Sequence, residues 1–115
     1  MISILPIETI EDAQGAIDLS RSATVVIYKH SPICSISETA LEEFETFASG
    51  DVHDAKLFSV DVLAARPASQ KIEEITGVRH ESPQVLVLAD GKVVWHASHR
   101  RIRASELSAQ AVALA

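Results

Sequence analysis

Cysteine occurs once in this sequence, at Cys34. A single cysteine excludes an intrachain disulfide, and nothing in its use points to an oxidising compartment. Cations are also few: Lys and Arg number 10 against 16 Asp and Glu, a net charge of -6. That balance argues against a surface built for nucleic acid or for an anionic membrane. No apolar run approaches the ~20 residues needed to span a bilayer. The apolar opening from Met1 to Pro6 has no basic lead and soon meets Glu8, Glu11 and Asp12, so it does not read as a signal peptide. His30, His53, His80, His96 and His99 show no metal-ligand spacing, and with one cysteine no zinc site is expected. The sequence also lacks a serine–histidine–acid set, a phosphate loop, a cofactor fingerprint, internal repeats and linkers. The expectation is a cytoplasmic protein with no bound cofactor, no metal, and neither nucleic acid nor membrane as partner.

What is present suffices for a single domain over residues 1–115, with apolar residues at 47%. Ile2 to Ile7 reads as a short edge strand limited by Pro6. Thr9 to Ser20 reads as a helix, with Thr9 and Asp12 in a capping arrangement and Ile10, Ala13 and Ile17 on one face. Ala23 to Lys29 is a strand whose run Val25-Val26-Ile27 suggests burial on both sides. A helix from about Cys34 to Ser49 carries the stripe Ile36, Ala40, Phe44, Phe47 and Ala48, and Gly50 is its stop. Glu38, Glu42, Glu43 and Glu45 fall mostly on its outer face. Lys56 to Val62 is the next strand. The following helix has Pro67 in its first turn, Ala68, Ile72 and Ile75 inward, and Gly77 at its end. Val85 to Leu88 is a buried strand, Asp90-Gly91 a hairpin turn, and Val93 to Ala97 the returning strand. Ala104 to Leu114 closes the chain as a helix with Leu107, Ala111 and Leu114 inward. The order β-α-β-α-β-α-β-β-α describes an α/β protein with a central mixed sheet flanked by helices, which is the layout of a thioredoxin-like fold.

Cys34 follows the strand ending near Lys29 and stands at the mouth of a helix. In a sheet of parallel strands, sites gather at such carboxyl ends. Unpaired N–H groups and the helix dipole at that position favour an anion, and the thiolate is the form that attacks disulfides. The competing reading of Cys34 is a small buried hydrophobe. Ser37 occupies the third place after it, where a dithiol oxidoreductase carries its second cysteine. Pro83, just ahead of the Val85 strand, stands where this fold carries a cis-proline, and a cis Ser82–Pro83 bond is expected. The Ser82 N–H and C=O would then pair with an extended thiol substrate by strand addition.

The segment Tyr28-Lys29-His30-Ser31-Pro32-Ile33-Cys34-Ser35-Ile36-Ser37 resembles the active site of the monothiol bacilliredoxins, the YtxJ/BrxC-type bacillithiol system proteins. The Lys-His-Ser lead, the lone cysteine and the Ile-Ser that follows carry the likeness. It extends through Val60-Asp61-Val62, the Ile75 to Gln84 segment and the hairpin. One departure is Ser35, where the family's most typical motif has proline. The resemblance implies exchange on mixed disulfides between client proteins and bacillithiol, a low-molecular-weight thiol that serves as co-substrate. Cys34 would take the bacillithiol from a client, and a second bacillithiol would release it. Ser37 would donate a hydrogen bond to the Cys34 thiolate. Lys29 and His30 would add positive potential for the substrate, and Ser82 and Pro83 would shape its docking edge.

Two other classes fit the same sequence. One is a redox-inert thioredoxin-fold binding module in which Cys34 only packs or holds a ligand. The other is a glutaredoxin-like monothiol protein using glutathione or an iron–sulfur cluster. The basic run His99-Arg100-Arg101-Ile102-Arg103 reads either as an anion site or as a solvated loop before a helix, while Arg79, His80 and Glu81 flank Pro83.

Overall fold

The computed structural model describes residues 4–33, 35–50, 52 and 54–113. Cys34 lies outside the described residues, as do the start of the first strand and the inward position given to Leu114. The elements are β1 (Ile4–Pro6), α1 (Ile10–Leu19), β2 (Val25–His30), α2 (Ser35–Ser49), β3 (Lys56–Asp61), α3 (Arg66–Thr76), β4 (Gln84–Ala89), β5 (Lys92–Ser98) and α4 (Ala104–Ala113). A single 3-10 turn at His99–Arg101 precedes α4, where the sequence suggested only a loop.

The strands form one mixed sheet in the order β1-β3-β2-β4-β5. β1 and β2 each run parallel to β3, while β2–β4 and β4–β5 are antiparallel. β2 therefore lies at the centre, and Val25 to Tyr28 are completely buried. Alternation along the strand splits these residues between two cores. Val26 and Tyr28 pack with Ala40, Phe44 and Phe47 of α2 and Leu107 and Ala111 of α4. Val25 and Ile27 pack with Ala13, Ala16 and Ile17 of α1 and Ala68 and Ile72 of α3. Tyr28 stacks on Phe44 at a centroid separation of 4.9 Å.

Local signals act where the sequence put them. The Thr9 Oγ1 accepts the Asp12 N–H at 3.0 Å, and Asp12 Oδ2 accepts the Thr9 N–H at 3.2 Å. Backbone donation from Glu8 and Thr9 holds the Asp12 carboxyl below its ordinary pKa. Gly77 closes α3 in the left-handed conformation at φ 74, donating its N–H to the Glu73 carbonyl. Asp90 and Gly91 both have positive φ, as the tight hairpin turn requires.

Two expectations are corrected. Ile10 is 44% exposed. It lies only ~20° from Ile17 around the helix, on the expected face, but as the first residue of α1 it has no preceding helical turn to cover it. Glu43 is not merely solvated: its Oε1 accepts the Ala104 N–H at 2.8 Å, supplying a partner to the free amino end of α4.

Candidate active site

The site gathers at the carboxyl end of β2. Beyond His30 the chain turns through Ser31, Pro32 and Ile33 into α2. Ser31 is buried and Ile33 is 81% exposed, so the turn projects an apolar side chain into solvent just before Cys34. Ser37, in the first turn of α2, is fully buried. Its Oγ accepts the Ser31 N–H at 3.0 Å and lies 3.3 Å from His30 Nδ1. Its carbonyl accepts the Tyr28 hydroxyl at 3.1 Å. Ser37 thus ties the first turn of α2 back to Tyr28, His30 and Ser31 at the end of β2. Tyr28 was read only as a strand residue. The signal available was a tyrosine inside a buried run, whose hydroxyl needs an internal partner.

Facing this turn is the segment before β4. Register pairs Lys29 with Gln84, so the positions beyond it bring His30 and Ser31 alongside Pro83 and Ser82. The Ser82–Pro83 bond is cis, as expected. Pro83 is buried, and its carbonyl accepts the His99 N–H at 3.0 Å. The Ser82 N–H and C=O have no hydrogen-bond partner among the described residues. Ser82, Ser31 and His80 line a cavity of about 200 Å³.

Lys29 behaves differently from His30. Strand alternation turns it to the opposite face of the sheet, toward α3, where it is fully buried. Its Nζ donates to the Ser69 carbonyl at 3.3 Å and meets His80 Nδ1 at 3.1 Å. Burial lowers its pKa from 10.5 to about 8, against a smaller opposing pull from the Glu73 carboxylate. Lys29 therefore presents no surface to a substrate; it contacts His80, which lines the cavity beside Ser82. Burial and the Lys29 charge together hold the His80 pKa below its ordinary value. A neutral His80 accepting from Lys29 at Nδ1 carries its proton on Nε2. The His80 N–H is bound by Glu73 Oε2 at 2.6 Å. Beside Lys29, the buried Gln84 donates from Nε2 to the Arg79 carbonyl at 3.0 Å. Its Oε1 has no partner among the described residues. Nothing local in the sequence signalled this polar group beneath the Pro83 segment.

Among the described residues no group of three or more His, Asp and Glu is placed to hold a metal ion, and no helix is long and apolar enough to cross a membrane. The arrangement suits thiol chemistry on a docked chain, with an unpaired backbone edge opposite a hydroxyl-clasped turn.

Comparison with known proteins agrees. The model of the monothiol bacilliredoxin BrxC family matches residues 5–107. The chain belongs to this family. A solved structure presented as a candidate oxidoreductase with a thioredoxin fold is 31% identical to this bacilliredoxin, with a TM-score of 0.81 over 95% of this chain and 93% of the other. The thioredoxins of Malassezia sympodialis (16% identity, TM-score 0.75, 99% and 92% covered) and Fasciola hepatica (17%, 0.75, 97% and 100%) share the fold. The bacilliredoxin family and the thioredoxin fold together place the chain among thiol–disulfide oxidoreductases.

Proposed function

We propose that this bacilliredoxin removes bacillithiol from mixed disulfides on client proteins through Cys34, acting in the cytoplasm where thiols stay reduced. The Cys34 thiolate attacks the bacillithiol sulfur, forming a Cys34–bacillithiol disulfide as the sulfur–sulfur bond to the client breaks. The client leaves as a thiolate and takes up a proton. A second bacillithiol thiolate then attacks the sulfur of the bound one. Cys34 is released as thiolate and bacillithiol disulfide departs. The observation that carries this reading is Ser37: three residues after the only cysteine stands a buried hydroxyl already engaged with Ser31 and His30. It cannot displace the adduct, so release must come from an outside thiol. When His30 Nδ1 carries the proton and donates to Ser37 Oγ, the Ser37 O–H is left to donate to the Cys34 thiolate. His30 supplies polarity beside the turn, and the unpaired Ser82 backbone offers the edge on which an extended client segment adds as a strand.

The test is intact-protein mass spectrometry together with a bacillithiolated client. Wild type should release reduced client, gain the mass of one bacillithiol, and lose it when free bacillithiol is added. Cys34→Ser should stay folded and do neither, because a serine alkoxide is not available at neutral pH. Client reduction by folded Cys34→Ser would sink the mechanism.

A further inference from the structure

A groove of about 540 Å³ runs between α2 and the 3-10 turn ahead of α4. Its lining includes Ser35 and Ile36, the two residues that follow Cys34, together with the buried Ala40 and Ile102. Arg100 and Arg103 also line it. Among the described residues neither guanidinium has an ion-pair or hydrogen-bond partner. Glu43 and His99 line it too, so the groove carries one carboxylate against the two guanidinium groups. Glu43 gives Oε1 to the Ala104 N–H, and His99 Nδ1 lies 3.9 Å from Glu81 Oε2. Two cations without a partner among the described residues thus line a concave, partly apolar surface in a chain whose net charge is -6.

The backbone at this place is constrained as well. His99 has φ 56, a left-handed conformation that non-glycine residues adopt at a cost and keep only where their surroundings hold them. Its N–H is held by the Pro83 carbonyl and its own carbonyl by the Ile102 N–H at 3.3 Å. One wall of the groove is therefore fastened directly to the segment that offers the docking edge.

We propose that this groove is the subsite for the carboxylate-bearing end of the low-molecular-weight thiol, with Arg100 and Arg103 as its anion contacts. The inference rests on the functional reading above. Guanidinium groups match carboxylates in geometry as well as charge. With the anionic end held beside Ser35, the small thiol's sulfur is presented to Cys34, the preceding residue in the sequence, and the client sulfur becomes the leaving group. The groove thereby decides which of the two disulfide sulfurs is attacked.

The experiment compares second-order rate constants for adduct formation with two probes, oxidised bacillithiol and the uncharged 2-hydroxyethyl disulfide. For the Arg100→Gln/Arg103→Gln protein the ratio of the two rates should fall about tenfold, corresponding to about 1.4 kcal/mol. The wild-type ratio should also fall with added salt. Arg100→Lys/Arg103→Lys should recover part of it. Arg101→Gln, whose side chain does not line the groove, should keep the wild-type ratio. An unchanged ratio in the double Gln variant overturns the subsite while leaving the enzyme reading intact. A wild-type protein that reacts no faster with oxidised bacillithiol than with the uncharged disulfide overturns the functional reading, and the subsite with it. A loss confined to an acidic bacillithiolated client, absent with free oxidised bacillithiol, assigns the arginines to the protein partner and also overturns the proposal.

Discussion

Replacing Lys29 with Met should stabilise the protein at neutral pH, and the gain should vanish in alkali. Lys29 is buried between β2 and α3, and its pKa falls from 10.5 to about 8 because burial disfavours the charged form. At 1.36 kcal/mol per unit, the fold disfavours the charged side chain relative to the neutral one by roughly 3 kcal/mol more than the unfolded chain does. Against this, Met forfeits the bonds to the Ser69 carbonyl and His80 Nδ1. Neither acceptor is stranded, since His80 reaches solvent and a helix carbonyl has its own i+4 donor. The expected net gain for Lys29→Met is about 1–2 kcal/mol at pH 7. The sign of the pH dependence follows from the lowered pKa. Between pH 8 and 10.5 the unfolded chain binds the proton that the folded chain has lost, so wild-type stability rises with pH through that window. The difference between wild type and Lys29→Met should therefore shift by about 2–3 kcal/mol in favour of wild type from pH 7 to pH 10. Urea unfolding at both pH values measures it, with equal m-values as the check that the unfolded states compare. A difference that stays flat between pH 7 and pH 10 would refute the argument, because Lys29 would then titrate alike in both states.

Two further outcomes are expected. Ser37→Ala leaves the buried Ser31 N–H without an acceptor and should cost about 1–3 kcal/mol in urea unfolding; a loss under ~0.5 kcal/mol would mean that the turn does not depend on this hydroxyl. His80, whose folded pKa lies below its ordinary 6.5, takes up a proton less readily in the fold, so stability should decline as pH drops below that value. The decline between pH 7.5 and pH 5 should be smaller in His80→Gln, and an identical decline in both proteins would exclude this histidine as its source.

The elements of this fold were legible wherever the cause lies within a few residues along the chain. Thr9 and Asp12 satisfy one another's backbone across three positions, so the start of α1 is written in those two residues. Pro67 suits the opening turn of α3 and Gly77 its left-handed end. Asp90-Gly91 supplies the paired positive φ of the hairpin. The continuous apolar run of β2 announces a strand covered on both faces, because each face needs its own apolar set. From that order came the mixed sheet and the expectation of a site at the end of β2. The resemblance around Cys34 added the family.

Tertiary structure decided whatever depends on groups that meet only after docking. Lys29 and His80 stand 51 positions apart, and Glu43 and Ala104 stand 61 apart. No local pattern pairs them. Adjacent positions on a strand face opposite layers, so Lys29 and His30, read together as one basic lead, part company as soon as the sheet forms. His30 meets Ser37 on the α2 side, while Lys29 is buried under α3. Ser37 looked like a vacant second-cysteine position, and folding gave its hydroxyl the Ser31 N–H to hold. The run from His99 to Arg103 could equally have been a solvated loop. The Pro83 carbonyl and the packing of Ile102 into the α2–α4 core turn it into the wall of a groove. Secondary structure here follows from near neighbours, whereas the positions of charges and hydroxyls at the end of β2 follow from which layer covers which face of the sheet.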